Sequence, residues 1–181
     1  MKIIVAVDKN WGIGNKGKLL FSIPGDMRFF KETTQNNVVV MGRKTFESLP
    51  GGKPLKDRVN IVLSGQGDGG VDRVLNNAGN TVNTPIPLTV CGSVDGVLQE
   101  IKKYAGREIF IIGGETVYRQ FLDYCGEALI TKVFAEREAD SFFPNIDKLA
   151  NWQKVWESEV KTHEGLQYVF TKYKNNKNVV K

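Results

Sequence analysis

The sequence predicts a single-domain α/β fold, with a mostly parallel sheet and flanking helices. Short, continuous apolar runs rich in Val and Ile alternate along the chain with stretches of helical periodicity. Continuous apolar runs are typical of strands that are covered on both faces. The length of 181 residues, of which 41% are hydrophobic, suits one sizeable core and is short for two. We therefore expect residues 1–181 to form one domain.

Five apolar runs predict the parallel strands, and four periodic stretches predict the helices between them. The strands are expected at residues 3–7, 38–41, 59–63, 88–90 and 109–112. The helices are expected at residues 26–33, 44–49, 93–104 and 115–124. Because the two kinds of element alternate, helices should cover both faces of the sheet.

The last part of the chain has a different pattern. Residues 154–160 and 166–173 are long, half-polar runs joined by a short turn that contains glycine. This arrangement predicts an antiparallel hairpin that completes the sheet. Residues 64–88 are rich in Gly and Asn and have no periodic apolar face, so we expect a mobile surface insertion there.

Charge and composition exclude several classes of function. The formal net charge of +5 would suit nucleic acid or a small anionic ligand. Lys and Arg are scattered, and the basic tail at 172–181 has no interleaved aromatic platform, so we expect no nucleic-acid partner. His163 is the only histidine and falls in an expected turn. A catalytic Ser-His-Asp set and a histidine-rich metal site are therefore not expected.

Cysteine usage and the start of the chain point to the cytoplasm. Cys91 and Cys125 both lie beside apolar residues and are expected to fill the core as free thiols. The chain opens on a strand-like run, and no signal peptide or apolar segment of membrane length is evident. We expect a cytoplasmic protein without a membrane partner.

A glycine motif at residues 12–17, GIGNKG, matches the dinucleotide-binding fingerprint by letter. In that fingerprint the glycines lead from a strand into a helix whose N-terminus meets the pyrophosphate. Here the segment KLLFSIP follows, and Pro24 interrupts any such helix. We interpret the motif as a flexible glycine loop rather than a Rossmann site.

Two strand-to-helix junctions are better candidates for binding phosphate. Gly113 and Gly114 precede a helix expected at Glu115, and glycines let phosphates approach backbone N–H groups. A tight turn explains this junction equally well. Arg43 and Lys44 begin another helix and could hold an anion or form a solvated basic turn. Together the junctions suggest a dinucleotide with an extra phosphate.

Asp26 is the most unusual acid in the sequence. At the start of a helix an acid is ordinarily a cap or a partner of the helix dipole. Asp26, Phe29 and Phe30 nevertheless fall at i, i+3 and i+4 and share one face. A carboxylate on an apolar face is costly unless a ligand uses it, so Asp26 is a candidate binding residue.

Taken in order, these segments resemble the dihydrofolate reductase family over nearly the whole chain. The matching strings are IIVAVDKNWGIG, IPGDMRFFKETT, VVVMGRKTFESLP, DRVNIVLS, IFIIGGETVYRQF, LITKVFAE and DSFFP. The resemblance implies a twisted, mostly parallel sheet of eight strands, with an adenosine-binding part at about residues 38–106. It also implies a monomer that uses NADPH to reduce dihydrofolate, with hydride added to C6 and a proton to N5.

The resemblance assigns roles around the pterin ring. Asp26 would bind the 2-amino group and N3, with Thr131 as its hydrogen-bond partner, and the main-chain carbonyls of Ile4 and Ile112 would face the ring. Arg58 would grip the α-carboxylate of the glutamyl tail, which suits a guanidinium. The family's pocket walls match Ile4, Val5, Met27, Phe30, Leu49 and Leu55.

The resemblance also assigns the cofactor site. Arg43 and Lys44 would favour the 2′-phosphate of NADPH over NADH, and the family's peptide between Gly113 and Gly114 is cis. The other matching positions are Ala6, Ile13, Gly14, Leu19, Gly42, Thr45, Leu63, Ser64, Ile112, Glu115, Thr116, Val117 and Tyr118.

Some positions depart from the family pattern. Leu19, Leu20 and Phe21 stand where the family usually has Leu-Pro-Trp, so Phe21 takes the tryptophan position in the loop expected to close over the nicotinamide. Gly92 and Thr116 lack charges that some members place near the 2′-phosphate. Two alternatives stay open. One is a related reductase of another pterin or a pyrimidine, and the other is a non-catalytic basic domain that binds nucleotides or nucleic acid.

Overall fold

A computed structural model describes residues 1–65 and 88–177. The Gly/Asn-rich insertion expected at 64–88 falls almost entirely outside these residues, as does the end of the basic tail, and both remain predictions. No helix in the described parts of the chain is long and apolar enough to cross a membrane.

The described residues form twelve strands and four α-helices in the alternating order that the sequence predicts. The strands are β1 Lys2–Val7, β2 Gly12–Asn15, β3 Lys18–Leu19, β4 Val38–Gly42, β5 Val59–Leu63, β6 Leu88–Cys91, β7 Ile109–Ile111, β8 Glu127–Val133, β9 Ser141–Phe142, β10 Trp152–Glu157, β11 Lys161–His163 and β12 Leu166–Asn175. The helices are α1 Pro24–Thr34, α2 Arg43–Ser48, α3 Val94–Glu100 and α4 Glu115–Phe121. The last two are shorter than expected because each tightens into a 3-10 turn, at Ile101–Tyr104 and Leu122–Tyr124.

The main sheet has the predicted parallel character. Its strands follow the order β10-β12-β8-β1-β7-β4-β5-β6. The six strands from β8 to β6 pair parallel to one another, while β12 and β10 pair antiparallel. The carboxyl ends of β1, β4 and β7 therefore meet at one edge of the sheet, which is where ligands bind in open α/β folds.

The predicted C-terminal hairpin is present with different bounds. Residues 154–160 do not form one strand, because β10 ends at Glu157 after a register shift near Val155, and β11 follows as a separate strand. Glu164 and Gly165 form the turn between β11 and β12, and both have positive φ. That conformation is typical of a two-residue hairpin turn.

One strand of the main sheet, β8, is missing from the apolar pattern and was found only as a family motif. Its apolar residues do not form a continuous run, because Thr131 and Lys132 interrupt them. β8 pairs in parallel with β1 and antiparallel with β12. It therefore joins the two halves of the sheet, and it carries Thr131 to the centre of the fold.

The GIGNKG motif leads into no helix, as we expected, but the interpretation as a loop was wrong. Gly12–Asn15 forms β2, which pairs with β3 across a turn at Lys16 and Gly17 and with β9 on its other side. Lys16 and Gly17 both have positive φ, as a type I′ turn requires. The motif is thus a β-hairpin in a small second sheet.

Helices cover both faces of the main sheet. On one face Ile3 and Val5 pack with Val97 of α3 and Phe121 of α4 in the larger core cluster. On the other face a second cluster includes Ile4 of β1 and Phe46 of α2, with α1 packed against it. Cys91 and Cys125 are buried free thiols in the first cluster, as predicted, and burial raises the pKa of Cys125 to about 12.

Candidate active site

Asp26 is held by a hydrogen bond rather than used as a helix cap. The N-cap of α1 is Ile23, which makes no side-chain capping bond, and Asp26 lies in the first turn. The Thr131 hydroxyl on β8 donates to Asp26 Oδ1 at 2.6 Å. Burial raises the pKa of Asp26, and the bond from Thr131 opposes that rise without cancelling it. A half-buried carboxyl with a raised pKa and one side-chain partner is typical of a ligand-binding or catalytic group.

Aromatic contacts with β12 fix the position of α1 over the sheet. A Cβ atom at Gly25 would collide with the Tyr168 hydroxyl, so the helix start lies directly against β12. Four residues later the Phe29 ring packs on Phe170 at a centroid distance of 4.5 Å. Since Phe170 pairs with Thr131 in the sheet, these contacts bring Asp26 within reach of Thr131.

An apolar surface adjoins Asp26, and most of the predicted pocket residues belong to it. Ile4 is buried in the second core cluster, and Phe30, Leu49, Leu55 and Ile112 are partly buried against the same cluster. Such a surface with a single carboxyl beside it suits a flat, mostly apolar ring that bears a few polar groups.

Two predicted pocket residues do not pack into the cluster that holds Ile4. The Val5 side chain packs in the larger cluster, on the other face of β1 from Ile4, because neighbouring residues in a strand point to opposite faces. Only its backbone can therefore reach the Ile4 side. Met27 is 47% exposed, so it is not packed into the cluster that holds Ile4, and its place in the pocket remains a prediction.

Arg58 is anchored by groups at the end of α1. Its Nε donates to Thr34 Oγ1 at 3.1 Å, Nη1 donates to the Lys56 carbonyl at 2.6 Å, and Nη2 donates to the Lys31 carbonyl at 2.9 Å. A guanidinium has five N–H groups, so the three engaged here leave two for a further partner. Two parallel N–H groups match a carboxylate.

The two strand-to-helix junctions lie side by side, because β4 and β7 are neighbours. The Gly42 N–H donates to the Gly113 carbonyl at 2.7 Å. A Cβ atom at Gly42 would come within 3.0 Å of Val117, and one at Gly114 within 3.3 Å of the Thr45 hydroxyl. The peptide between Gly113 and Gly114 is cis. The junctions form one close-packed glycine surface at the carboxyl edge of the sheet.

The remaining cofactor candidates differ in exposure and lie on several elements. Arg43, Lys44 and Thr116 are exposed, whereas Leu63, Ser64, Val117 and Tyr118 are buried. Tyr118 donates from its hydroxyl to the Ile4 carbonyl at 2.9 Å, which leaves that oxygen one lone pair for a second donor. The members on the first strand and the β2–β3 hairpin are Ala6, Ile13, Gly14 and Leu19.

Phe21 and Leu20 are buried in a third apolar cluster with Ile23. The guanidinium of Arg137 covers the Phe21 ring at 4.8 Å and donates to the Leu20 carbonyl at 2.9 Å. Phe21 is therefore a packed anchor of the segment before α1. Nothing in the sequence singles out Arg137, since it comes from a segment more than a hundred residues away.

Asp8 is a second structural residue that the sequence analysis missed. It is only 3% exposed, and its carboxylate accepts backbone hydrogen bonds from Asn10, Gly12 and Arg137. An Asp followed by turn residues at the end of a strand is a recognisable sign of such a turn.

Among the described residues, no three acids, histidines or cysteines are grouped so that they could hold a metal ion.

Comparison with known proteins agrees with this geometry. The family model described as dihydrofolate reductase matches residues 1–175. The chain belongs to the dihydrofolate reductase family. This is a family of oxidoreductases, and its fold accounts for the mixed α/β sheet with an antiparallel C-terminal end.

Individual members of the family are similar along most of this chain. A dihydrofolate reductase of Schistosoma mansoni is 36% identical over 165 residues, which are 86% of this chain and 81% of that protein. One of Neisseria gonorrhoeae is 34% identical over 172 residues, or 94% of this chain and 95% of that protein. A bifunctional dihydrofolate reductase-thymidylate synthase of Glycine max is 32% identical over 186 residues. The chain spans about a third of the length of that bifunctional relative.

Proposed function

We propose that this chain reduces 7,8-dihydrofolate to 5,6,7,8-tetrahydrofolate with NADPH. The observation that carries the proposal is the single carboxyl of Asp26, bonded to Thr131 and set beside the apolar surface of Ile4 and Phe30. Family membership adds support. NADPH, when bound, would supply hydride from nicotinamide C4 to C6 of the substrate.

In this proposal Asp26 binds the 2-amino group and N3 of the pterin and orients the ring. His163 lies at the β11–β12 turn and not beside Asp26, so no histidine serves as acid at N5. The proton at N5 therefore comes from solvent, while the negative charge of Asp26 stabilises positive charge that develops on the ring. Thr131 holds the carboxyl in place.

The glycine surface around Gly42, Gly113 and Gly114 fits the phosphates of a dinucleotide. The absence of side chains at these positions lets phosphates approach the backbone closely, and a Cβ at two of them would crowd Val117 or Thr45. Arg43 and Lys44 follow directly and add positive charge at the neighbouring junction. We propose that they hold the 2′-phosphate, which distinguishes NADPH from NADH.

Arg58 favours dihydrofolate over the alternative substrates. Its fixed guanidinium has two N–H groups left for a carboxylate, and only a pterin with a glutamyl tail needs that contact. A related reductase of a pterin without a tail or of a pyrimidine would leave this buried cation without a ligand. A non-catalytic basic domain would not explain why a carboxyl is buried at a position where burial raises its pKa.

We further propose that the enzyme acts in the cytoplasm as a monomer. The two buried, unpaired thiols suit a reducing compartment. Lys and Arg are dispersed over the sequence, which favours a small anionic substrate over nucleic acid.

The test is to mix the purified protein with NADPH and dihydrofolate and follow the near-ultraviolet absorbance of NADPH. Absorbance should fall only when both are present. Parallel reactions with a dihydropterin that lacks the glutamyl tail, and with NADH, measure the two specificities. Equal rates with and without the tail would favour the related-reductase alternative, and no turnover with any pterin would refute the proposal.

A further inference from the structure

We propose that Glu115 is a positioning residue that fixes the β2–β3 hairpin against the start of α4. Its carboxylate accepts a hydrogen bond from the Phe142 backbone N–H at 2.8 Å through Oε2. The other oxygen accepts from Nε and Nη2 of Arg119, one helical turn further along. One oxygen of Glu115 is thus bonded within its own helix, and the other is bonded to β9. Both oxygens of the side chain have partners within the protein.

Strand β9 transmits this contact to the hairpin. Phe142 pairs with Gly12, and Ser141 pairs with Gly14. Asp140, directly before β9, donates from its N–H to the Gly14 carbonyl and accepts from the Lys16 N–H at 2.7 Å. The hairpin therefore moves with β9, and β9 is attached to α4 through Glu115.

A second contact between the β9 region and α4 does not depend on Glu115. The Phe143 ring packs edge-on against Tyr118 at 5.1 Å and is fully buried. This contact anchors the residue after β9 to α4, whereas the partly exposed Glu115 holds Phe142 in β9 itself. Loss of the Glu115 bond should loosen the hairpin without unfolding the sheet.

The effect of Glu115 on turnover rests on the proposed function. The hairpin residues Ile13, Gly14 and Leu19 are predicted cofactor positions, and in the proposed function the turn at Gly113 and Gly114 holds the phosphates. One side chain then sets the distance between the two halves of the cofactor site. Such positioning contributes to turnover when reacting groups must be held at a fixed separation.

Two conservative variants of Glu115 separate the effect of side-chain length from the effect of charge. Glu115→Asp keeps the negative charge at the helix start, where an acid is favourable, but its shorter side chain withdraws from the Phe142 N–H. Glu115→Gln keeps the length and an acceptor oxygen but loses the charge that pairs with Arg119. Glu47→Ala on the exposed surface of α2 and Arg119→Ala, which leaves the Phe142 bond intact, are the controls.

Hydrogen exchange of the free protein is the first measurement, because it does not depend on any activity. We expect Glu115→Asp to speed exchange in peptides that cover residues 12–19 and 140–143 by about three- to tenfold, the scale of one partly exposed charge-assisted bond. Glu115→Gln and both controls should exchange at nearly the wild-type rate. Faster exchange in Glu115→Gln with normal exchange in Glu115→Asp would overturn the inference, as would equal acceleration in β4 and β5.

Steady-state kinetics are the second measurement. Glu115→Asp should lower kcat several-fold more than Glu115→Gln does. If the wild type shows no reductase activity while the exchange pattern holds, the proposed function fails and the structural role of Glu115 stands. If the enzyme is active and all variants exchange alike, the role of Glu115 fails and the proposed function stands.

Discussion

Thr131 and Asp26, which are 105 positions apart in the chain, are joined by a hydrogen bond of 2.6 Å between Oγ1 and Oδ1. Burial raises the pKa of Asp26, and the bond from Thr131 acts in the opposite direction. The carboxyl is therefore held in one orientation while its charge remains costly to the fold. This balance leads to the first three predictions.

Asp26→Asn should reduce activity at neutral pH by a factor on the order of 10² or more, the usual scale for such a group. The amide keeps the size of the side chain but cannot supply negative charge to the ring. Because acid in solution can still protonate the substrate, the rate of the variant should continue to rise as pH falls. Steady-state rates from mildly acidic to mildly alkaline pH would measure this. Activity equal to that of the wild type at neutral pH would return Asp26 to a structural role.

Thr131→Val should raise the pKa of Asp26 further. Valine has the shape of threonine but no donor, so the charged carboxylate loses its hydrogen bond while its burial is unchanged. A titration of the side-chain carboxyl carbon by NMR, with Asp26→Asn to assign the resonance, would give the two pKa values. An unchanged pKa would mean that Thr131 does not stabilise the ionised form.

Asp26→Asn should also make the protein more stable at neutral pH. The pKa of Asp26 is higher in the folded state than the ordinary value of about 3.9. Between those two values the folded state keeps a proton that the unfolded state loses, so the free energy of unfolding falls as pH rises through that range. The advantage of the variant should therefore be absent in strong acid, grow through the range and then stay constant. Urea unfolding at a series of pH values tests this, and a pH-independent difference would contradict it.

Arg58→Leu should raise KM for dihydrofolate far more than for a dihydropterin without the glutamyl tail. Only the first substrate offers a carboxylate to the two remaining N–H groups. The variant should also lose about 2 kcal/mol in the free energy of unfolding, because the carbonyls of Lys31 and Lys56 lose their donor.

Arg58→Lys is the matched variant for this experiment, since it keeps the charge without the fork of N–H groups. Kinetics with both substrates and urea unfolding separate binding from stability. A similar rise in KM for both substrates would make Arg58 structural and would favour the related-reductase alternative.

Arg43→Ala should weaken binding of NADPH by about 1.5 to 3 kcal/mol, the scale of a charge-assisted hydrogen bond. Binding of NADH should be almost unchanged because it has no 2′-phosphate. Fluorescence titration with each cofactor gives the two dissociation constants. Arg107→Ala is the control for net charge, since Arg107 precedes β7 at the opposite end from Gly113. Equal weakening for both cofactors would refute the assignment of Arg43.

The sequence by itself determined the alternation of strands and helices and the face of α1 that bears Asp26. Both depend on periodicity, which reflects which side of an element is buried and is a local property. For the same reason the Gly113-Gly114 junction and the final hairpin were predictable. The apolar character of β8 was too weak to be recognised, because Thr131 and Lys132 interrupt the pattern, and the strand at Gly12–Asn15 was wrongly interpreted as a loop.

Tertiary structure alone decided which of these elements meet. The order of the strands places β7 between β1 and β4, and only then does the turn at Gly113 lie against Gly42. The bond from Thr131 to Asp26, the bond from Phe142 to Glu115 and the cover of Arg137 over Phe21 each join distant segments. No local pattern specifies such pairs, because they follow from how the helices and strands pack over one shared core.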